Sequence, residues 1–549
     1  MAEIGNVSIE QMRTRLRASE NIHNIIDDLF AERIDEYMED PKKMLEILKE
    51  VILPFRKVDS LPDIKTCKSL NLTDADITDG ELVRVRCMLK ETKGFEVYPM
   101  SSKVTGDETK KVSCGLFRSL FDALDDERVK LGTRYIYGIG PVPGASTWYN
   151  ESFYDVAVTA DGTGDCSPSA SGGKQKEWRM IAKFLDESSS ELKPNHVFDL
   201  FGVLDMKEFY EEGTSENSAV YFRSFHVIAS EAVVDHKVLN QTFPLISDSN
   251  PQALSVVKKS LSLLLGDTSA ADYLCCHLIS KTYIRAVGNP VCSMAMNIVN
   301  VTDTASIIRH IKLLMPKVIV YEVTAEALAT DSLIPKMNYD TDVLEDGILQ
   351  FSSGTVFVID ETKFSRSCLS SVPANKRAIL NKNLTVLERL VKQQVFEYDY
   401  THPFNIDSDV NILVLSKNPS CLKLGLPFTL AIPPQFCDGV DPASILQDER
   451  TLKECRHTLQ VCRNNVEHIT LPQGIDKEMT ELFVKNRGSG ASVEDACNQL
   501  HNLLIVTRLL AALDFKFEVD LSHLKEAKDM EEKRVNTLKE FLSKNEEKT

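Results

Sequence analysis

Three spacings of apolar residues follow one another along the chain. The first 75 residues read as helical: Asp40-Pro41 supplies an N-cap and a proline at the first helical position, and Met44, Leu45, Leu48, Val51 and Ile52 recur on one face until Pro54 stops them. Such a stripe docks on a neighbouring domain or, as the sharper alternative, on a partner helix. From Gly80 the period changes to two. Leu82, Val83, Val85, Cys87 and Leu89 interleave with Arg84, Arg86 and Met88, and after Thr92-Lys93-Gly94 the pattern resumes at Phe95 to Tyr98, which predicts a hairpin. A second β stretch ends in Tyr135-Ile136-Tyr137, before the turn Pro141-Val142-Pro143-Gly144. Residues 161–173, made mostly of Gly, Ser, Thr and Asp, read as a flexible loop. Strand patterns then return at 179–185, 197–204, 219–222 and 225–229. Short strands, with Gly202 inside the second of these runs, predict a small, strongly curved OB-like barrel over residues 76–235. Phe95, Tyr98, Phe184 and Phe201 are not interleaved with a basic stripe, so they and His226 are assigned to core packing.

From about Gln252 the pattern is mixed. Ala253 to Leu265 has helical and then strand-like spacing, and Ala270 to Ile284 reads as a helix burying Leu274, Leu278 and Ile279. Val318 to Tyr321, Thr355 to Ile359 and Val410 to Leu415 read as short buried strands. Strands separated by helices imply a parallel sheet covered on both faces, here over residues 236–450. A helix from Ser492, with Asp495 as its acid at N3, buries Leu503, Leu504, Val506 and Leu510. Met530, Val535, Leu538 and Leu542 continue at helical spacing among many charges, as a solvated helix or, more sharply, a partner-binding one, so residues 451–549 read as helical and end in a C-terminal helix. The expected fold class is multidomain α+β and α/β.

Chemistry enters at Gly354-Thr355-Val356-Phe357-Val358-Ile359-Asp360-Glu361, which reads like the strand carrying the metal-binding Asp and catalytic Glu of an ATPase. The matching phosphate loop is sought at Leu265-Gly266-Asp267-Thr268-Ser269-Ala270-Ala271-Asp272-Tyr273. A working loop places a Lys ammonium on the phosphates and a Ser or Thr hydroxyl on Mg²⁺. Here Asp272 and Tyr273 hold those two positions, so Gly266, Asp267, Asp272 and Tyr273 read as a degenerate phosphate loop and no catalytic residue is assigned. Asn418 and Arg508 stand where such ATPases place polar sensors and are assigned structural roles, and His277, with no second ligand at i+4, is read as a core histidine.

Composition narrows the function. A chain of 549 residues suggests about three or four domains. A formal charge of −18 disfavours direct nucleic-acid binding. Thirteen cysteines without any C-x-x-C indicate neither a zinc ribbon nor a disulfide framework, so no metal or cofactor is expected. No N-terminal apolar leader and no run of about 18 apolar residues is seen, which leaves cytosol and nucleus. Lys42-Lys43 and Lys110-Lys111 are too short for an import signal.

The segment from Glu345 to Gly354, running into Val358-Ile359-Asp360-Glu361, resembles the approach to the Walker B strand of the minichromosome maintenance (MCM) replicative helicases, and Leu264-Leu265-Gly266-Asp267 resembles the start of their phosphate loop. With Pro141-Val142-Pro143-Gly144-Ala145-Ser146-Thr147-Trp148 added, the chain is similar to the MCM complex-binding protein family, non-helicase relatives of those enzymes, from about Leu82 to Arg534. The resemblance implies a degenerate AAA+-like domain, with residues 451–549 as its helical lid and C-terminal helix, and a nuclear, non-catalytic factor. Such a factor binds MCM subunits, chaperones or assembles them, and reaches chromatin through them during replication. Two other readings stay open: an atypical ATPase completed by a partner subunit, against which Asp272 stands, and a single-strand binder on the barrel, against which the charge stands.

Overall fold

The computed structural model describes residues 9–18, 20–52, 65–66, 80, 82–103, 112–119, 130–154, 178–186, 191–212, 220–233 and 250–546, apart from 287–288, 342, 366, 371, 435–441, 489 and 491. The loop read at 161–173 and Lys110-Lys111 lie outside the described residues. The architecture mixes N-terminal helices, β-sheets and C-terminal helices.

Helices α1 (Ile9–Arg17), α2 (Ile22–Glu32), α3 (Ile34–Glu39) and α4 (Pro41–Ile52) open the chain. The stripe Met44, Leu45, Leu48, Val51 and Ile52 is buried with Ile25, Ile26 and Phe30 against Leu82, Phe201, Val203 and Ile228 of the strands that follow. That face is therefore used inside the chain, and the partner-helix alternative falls away.

Five strands, β1 (Leu82–Pro99), β2 (Leu131–Gly140), β3 (Met180–Phe184), β4 (Val197–Glu212) and β5 (Val220–Ala232), close on themselves in the order β1-β2-β3-β5-β4 with β4 pairing back to β1. Only the β3–β5 pair among them is parallel. The hairpin expected at Thr92-Lys93-Gly94 does not form. β1 instead runs on, and its register against β2 slips twice, between Leu89 and Glu91 and between Thr92 and Gly94. Gly94, at φ +84°, supplies the left-handed backbone that such an irregularity uses. The bent strand pairs with β4 through its first half and with β2 through its second. Val83, Val85, Cys87, Leu89, Tyr137, Phe184, Phe198, Leu200 and Phe225 fill the interior. Tyr98, Phe184 and Phe201 are buried as expected, whereas Phe95 is exposed.

His226 sits buried beside Arg134 and Asp205, with its ring nitrogens 3.3 Å from Arg134 Nη1 and 3.4 Å from Asp205 Oδ2. Burial pushes its pKa from 6.5 down to about 3, and burial likewise pushes His277 down to about 4. Both rings stay neutral in the fold, while the unfolded chain takes a proton at each below its ordinary pKa. Their neutral burial is therefore without cost above about pH 6.5 and is penalised as pH falls toward 4, by up to about 1.4 kcal/mol per pH unit for each ring. The melting temperature should fall between those values and fall less steeply in His277→Asn. An equal slope in the two proteins, measured by scanning calorimetry, would count against it.

Beyond the barrel, α5 (Thr147–Tyr154) follows the Pro-Val-Pro-Gly turn. Next come α6 (Pro251–Leu265) and α7 (Thr268–Ile279), the first a single helix where the spacing had suggested a change to strand. Then β6 (Met296–Val299), α8 (Thr304–Leu314), β7 (Val318–Glu322), a hairpin of β8 (Lys336–Asn338) and β9 (Val343–Glu345), β10 (Thr355–Asp360), α9 (Arg377–Gln393), a second hairpin of β11 (Val395–Tyr398) and β12 (Phe404–Asp407), β13 (Val410–Leu415) and β14 (Phe428–Ala431) complete the α/β region. The sheet order is β7-β10-β13-β6-β14, every pair parallel. Alternate residues divide between two cores: Met296, Ile298, Val356, Val358, Leu413 and Leu415 on one face, Ile319, Tyr321, Phe357, Ile359, Ile412 and Val414 on the other. Burial on both faces explains why these strands read as largely apolar runs, broken in β6 and β13 by the buried Asn297 and Asn411. The chain ends with α10 (Glu449–Asn465), α11 (Gln473–Gly488), α12 (Val493–Leu513) and α13 (Leu521–Glu546). Ser492 caps α12, accepting from Asp495 N and donating to its carboxylate.

The Pro-Val-Pro-Gly block joins barrel to sheet. Gly144 O accepts from Val318 N at 2.8 Å, Ser146 N donates to Pro316 O at 2.8 Å, and Trp148 Nε1 donates to Lys312 O at 3.1 Å with Arg456 over its ring. Gly144 adopts φ +68°, and a Cβ there would stand 2.4 Å from Ile319 Cγ1. A second seam is polar: Lys90 meets Asp346 at 2.8 Å, Gln350 donates to Lys90 O and to Tyr398 Oη, and Tyr398 donates to Asn195.

Candidate functional site

In open parallel sheets ligands bind beyond the carboxyl ends of the strands, where helices begin. Here β10 delivers Asp360 and Glu361 to that crevice, β13 delivers Ser416, and β6 leads into the turn 300–303 before α8. Asp360 and Glu361 are both buried. Asp360 Oδ1 accepts from its own turn, Thr362 N at 2.9 Å and Thr362 Oγ1 at 2.6 Å, while its backbone carbonyl accepts from Val323 N. Glu361 accepts from Ser420 Oγ at 2.7 Å and from Cys421 N. Burial raises the Glu361 pKa above the ordinary carboxyl value, against the lowering pull of the bonds from Ser420, Cys421 and Leu422. This carboxylate latches the turn after β13 to the end of β10. The donors it holds are the protein's own.

The phosphate loop read at 265–273 lies elsewhere and is corrected by the structure. A phosphate loop needs a strand before it and a helix after it. Leu265 instead ends α6, Gly266 caps it at φ +68° with its N–H on Ser262 O, and Asp267 at once caps α7 by accepting from Ala270 N at 3.0 Å. Gly266 and Asp267 are a tight helix-to-helix turn. Asp272 forms an ion pair with Lys258 across the two helices, 3.0 Å apart. Tyr273 is buried and donates to Glu531 of α13 at 2.8 Å, and Arg534 pairs with that carboxylate. Burial, followed by the charge of Glu531, raises the Tyr273 pKa well above its ordinary value. A shallow groove of about 340 Å³ joins Thr268, Ser269 and Asp272 to Lys525, Asp529 and Lys533 of α13. These residues face the last helix and do not join Asp360 and Glu361.

The step that does occupy the crevice went unread in the sequence. Asn300, at φ +68°, ends β6, and its N–H and that of Val301 donate to Lys417 O and Ser416 O at 3.1 Å each. Asn300 Nδ2 donates to Ile432 O at 2.8 Å. Asp303 then caps α8, accepting from Ser306 N at 3.0 Å. Hydrogen bonds from the Ser306 hydroxyl and N–H hold its carboxyl below the ordinary range. An anion-binding helix terminus needs free N–H groups and no resident negative charge. This one has a carboxylate in place. A signal was available, since Met296, Ile298 and Val299 are apolar and Asp303 precedes the helical set Ile307, Ile311 and Leu314.

Two of the remaining candidates bond within the fold and one faces outward. Arg508 donates to Val466 O at 3.0 Å and lies over Tyr283. Asn418 is exposed on the turn after β13. His277 bonds through Nδ1 to Met294 O at 2.7 Å. Among the described residues there is no group of three His, Cys, Asp or Glu that could hold a metal, and no helix long and apolar enough to cross a membrane.

N-terminal helices, strands closed on themselves, a parallel sheet whose crevice groups bond to the protein itself and C-terminal helices define a protein of mixed α and β architecture. The profile of the Mini-chromosome maintenance replisome factor family matches residues 56–180 and 170–538, and the chain belongs to that family. It is similar to the mini-chromosome maintenance complex-binding protein of Danio rerio, 22% identical over 93% of this chain and 96% of that protein. The Arabidopsis thaliana protein of the same name is 25% identical over 65% of this chain and 63% of its own length, and that of Rattus norvegicus 27% over 55% and 46%. The matched stretch thus spans less than two thirds of the latter two relatives.

Proposed function

We propose that this chain binds MCM subunits without turning over nucleotide, serving as a chaperone or assembly factor and a chromatin-release factor for the MCM complex in DNA replication. It acts in the nucleus and reaches chromatin through MCM rather than through DNA contacts of its own. On this reading residues 1–75 are a helical N-terminal region, 76–235 an OB-like barrel, 236–450 a degenerate AAA+-like domain and 451–549 its lid and C-terminal helix. Two topologies support those names. The barrel closes in the order 1-2-3-5-4-1 with strands 3 and 5 parallel, and the sheet runs 2-3-4-1-5 by chain order, as in P-loop ATPases. The observation that carries the function is the match, over 93% of the chain, to a protein named for binding the MCM complex. The inward-bonded Glu361 and the carboxylate of Asp303 at the start of α8 support the non-catalytic half.

Size-exclusion chromatography tests it. The recombinant chain should co-elute with at least one purified MCM subunit, equally with and without Mg-ATP, and a chain ending before Gln252 should bind more weakly. Calorimetric titration of the isolated chain should reveal no low-micromolar binding of Mg-ATP. Failure to co-elute with any MCM subunit would refute the proposal, and co-elution only with nucleotide would favour the atypical ATPase.

A further inference from the structure

From Gly94 to Pro99, beyond its pairing with β4, strand β1 runs on paired with β2 alone. Phe95 stands opposite Tyr135, Val97 opposite Thr133 and Pro99 opposite Leu131, and residues directly opposed share a face. The other face of this ribbon is closed: Glu96 pairs with Arg134 and, at 3.0 Å, with Lys183, and Arg134 lies 4.8 Å over the Tyr98 ring. The open face carries no charged side chain, and on it Phe95, Val97 and Leu131 are 66%, 58% and 61% exposed.

The same residues present an open backbone edge. Met100 N donates to Lys130 O at 2.9 Å, so the even-numbered residues of this stretch turn their N–H and C=O groups to β2, and Phe95, Val97 and Pro99 turn theirs away. Among the described residues no hydrogen bond reaches Phe95 or Val97 from that side. Pro99, which has no N–H to give, fits such an outer edge. Open backbone groups beside exposed apolar side chains call for another extended strand rather than a helix face or a small ligand.

The strip is its own complement. In an antiparallel copy centred on Val97, the two Val97 residues exchange both backbone bonds, and each Phe95 N–H faces the Pro99 carbonyl of the other copy. Phe95 then faces Pro99 of the other copy, with Leu131 next in the row. The prolines end the ladder on both sides, and a two-fold contact closes on itself, so pairing stops at two copies. Charge permits it as well, since the chain's −18 has no share in this face and charges beyond about 8 Å are screened at physiological salt. We infer that the outer edge of β1 from Phe95 to Pro99 is a docking surface for a second copy of this chain, paired antiparallel about Val97.

The test is sedimentation of the full chain alone, so its outcome is independent of MCM binding. The mass should rise toward that of a dimer as concentration goes from about 1 to 100 μM, the weak range expected of a small contact, and association should tighten with salt as two acidic chains are screened from each other. Val97→Lys sets two ammonium groups opposite each other at the axis and should leave a monomer throughout, with its circular dichroism unchanged. Val97→Cys should give a covalent dimer under mild oxidation, since residues paired in this way stand about 5.5 Å apart between Cα atoms. Thr133→Cys, exposed on the same face but off the axis, should cross-link no more than wild type, whose exposed Cys368 and Cys497 set the baseline. In the unaltered chain the Phe95 and Val97 amides should exchange hydrogen more slowly as concentration rises. A chain that stays monomeric over that range, a dimer untouched by Val97→Lys, or equal cross-linking of the two cysteine variants overturns the inference.

Discussion

Gly202→Ala melts far below the wild-type chain, by the equivalent of about 3 kcal/mol or more, because the added methyl meets backbone on the neighbouring strand. A Cβ at this position would lie 2.0 Å from the carbonyl oxygen of His226 and 3.0 Å from its carbon. A side chain in the way can turn aside, whereas a strand backbone cannot move without breaking its own pairing. The contact falls where the β4–β5 register shifts between Phe201 and Gly202, so relief would uncouple two strands of the barrel. Gly474→Ala is the matched control, since nothing lies within 4 Å of a Cβ there, and it should stay within about 1 kcal/mol. Thermal unfolding followed by circular dichroism reads both. Equal melting of the two variants would mean that the close approach of β4 and β5 does not exist.

Asp409→Ala is expected to cost about 3–5 kcal/mol through a different cause, the stranding of a buried cation. Arg463 and Asp409 side chains are 6% and 15% exposed and form an ion pair, while Arg463 also donates to Ser280 O and, at 3.1 Å, to Asn411 Oδ1. The other Asp409 oxygen accepts from Thr282 N at 2.8 Å, and Asn411 donates to His277 O at 2.6 Å. This cluster ties α10, the end of α7 and the start of β13 together. Removing the carboxylate leaves a guanidinium with carbonyls but no counter-charge, and also leaves Thr282 N–H without that acceptor. Asp409→Asn keeps an acceptor for Thr282 and should lose less, and Arg463→Met, which removes the charge itself, should lose less than Asp409→Ala. Urea denaturation gives the ranking. A loss below about 1 kcal/mol for Asp409→Ala would show that the pair is solvated.

Elements with one dominant cause were legible from residue order. Asp40-Pro41 started α4, Ser492 and Asp495 started α12, and the two-sided burial of β10 and β13 wrote itself as apolar runs. Misreadings arose where local and distant causes compete. Thr92-Lys93-Gly94 has turn chemistry, yet pairing to both β4 and β2 made it a bulge in one continuous strand. Leu264-Leu265-Gly266-Asp267 looks like a strand entering a loop, because a buried helical turn ending at glycine shows the same apolar run. Asp272 and Tyr273 were read for phosphate chemistry, but their partners, Lys258 and Glu531, lie 14 and 258 positions away, and such pairing leaves no local trace. The crevice itself was half legible: the apolar run before Asp360 and Glu361 singled them out, while the Asn300–Asp303 turn, lacking glycine, offered only the short apolar strand before it and the Asp303 cap after it.

One further consequence follows from α13. It lies along β14, the last strand of the sheet, with Arg534 donating to Thr429 O at 2.9 Å and Glu531 holding Tyr273 behind Phe428. The helix therefore shields an edge that would otherwise present open N–H and C=O groups beside an apolar surface. A premature stop before Leu521 would do more than shorten a charged tail. It would turn the sheet margin into a template for strands of other copies, so nonsense changes this late in the chain would act through self-association and clearance of the product rather than through loss of a binding residue.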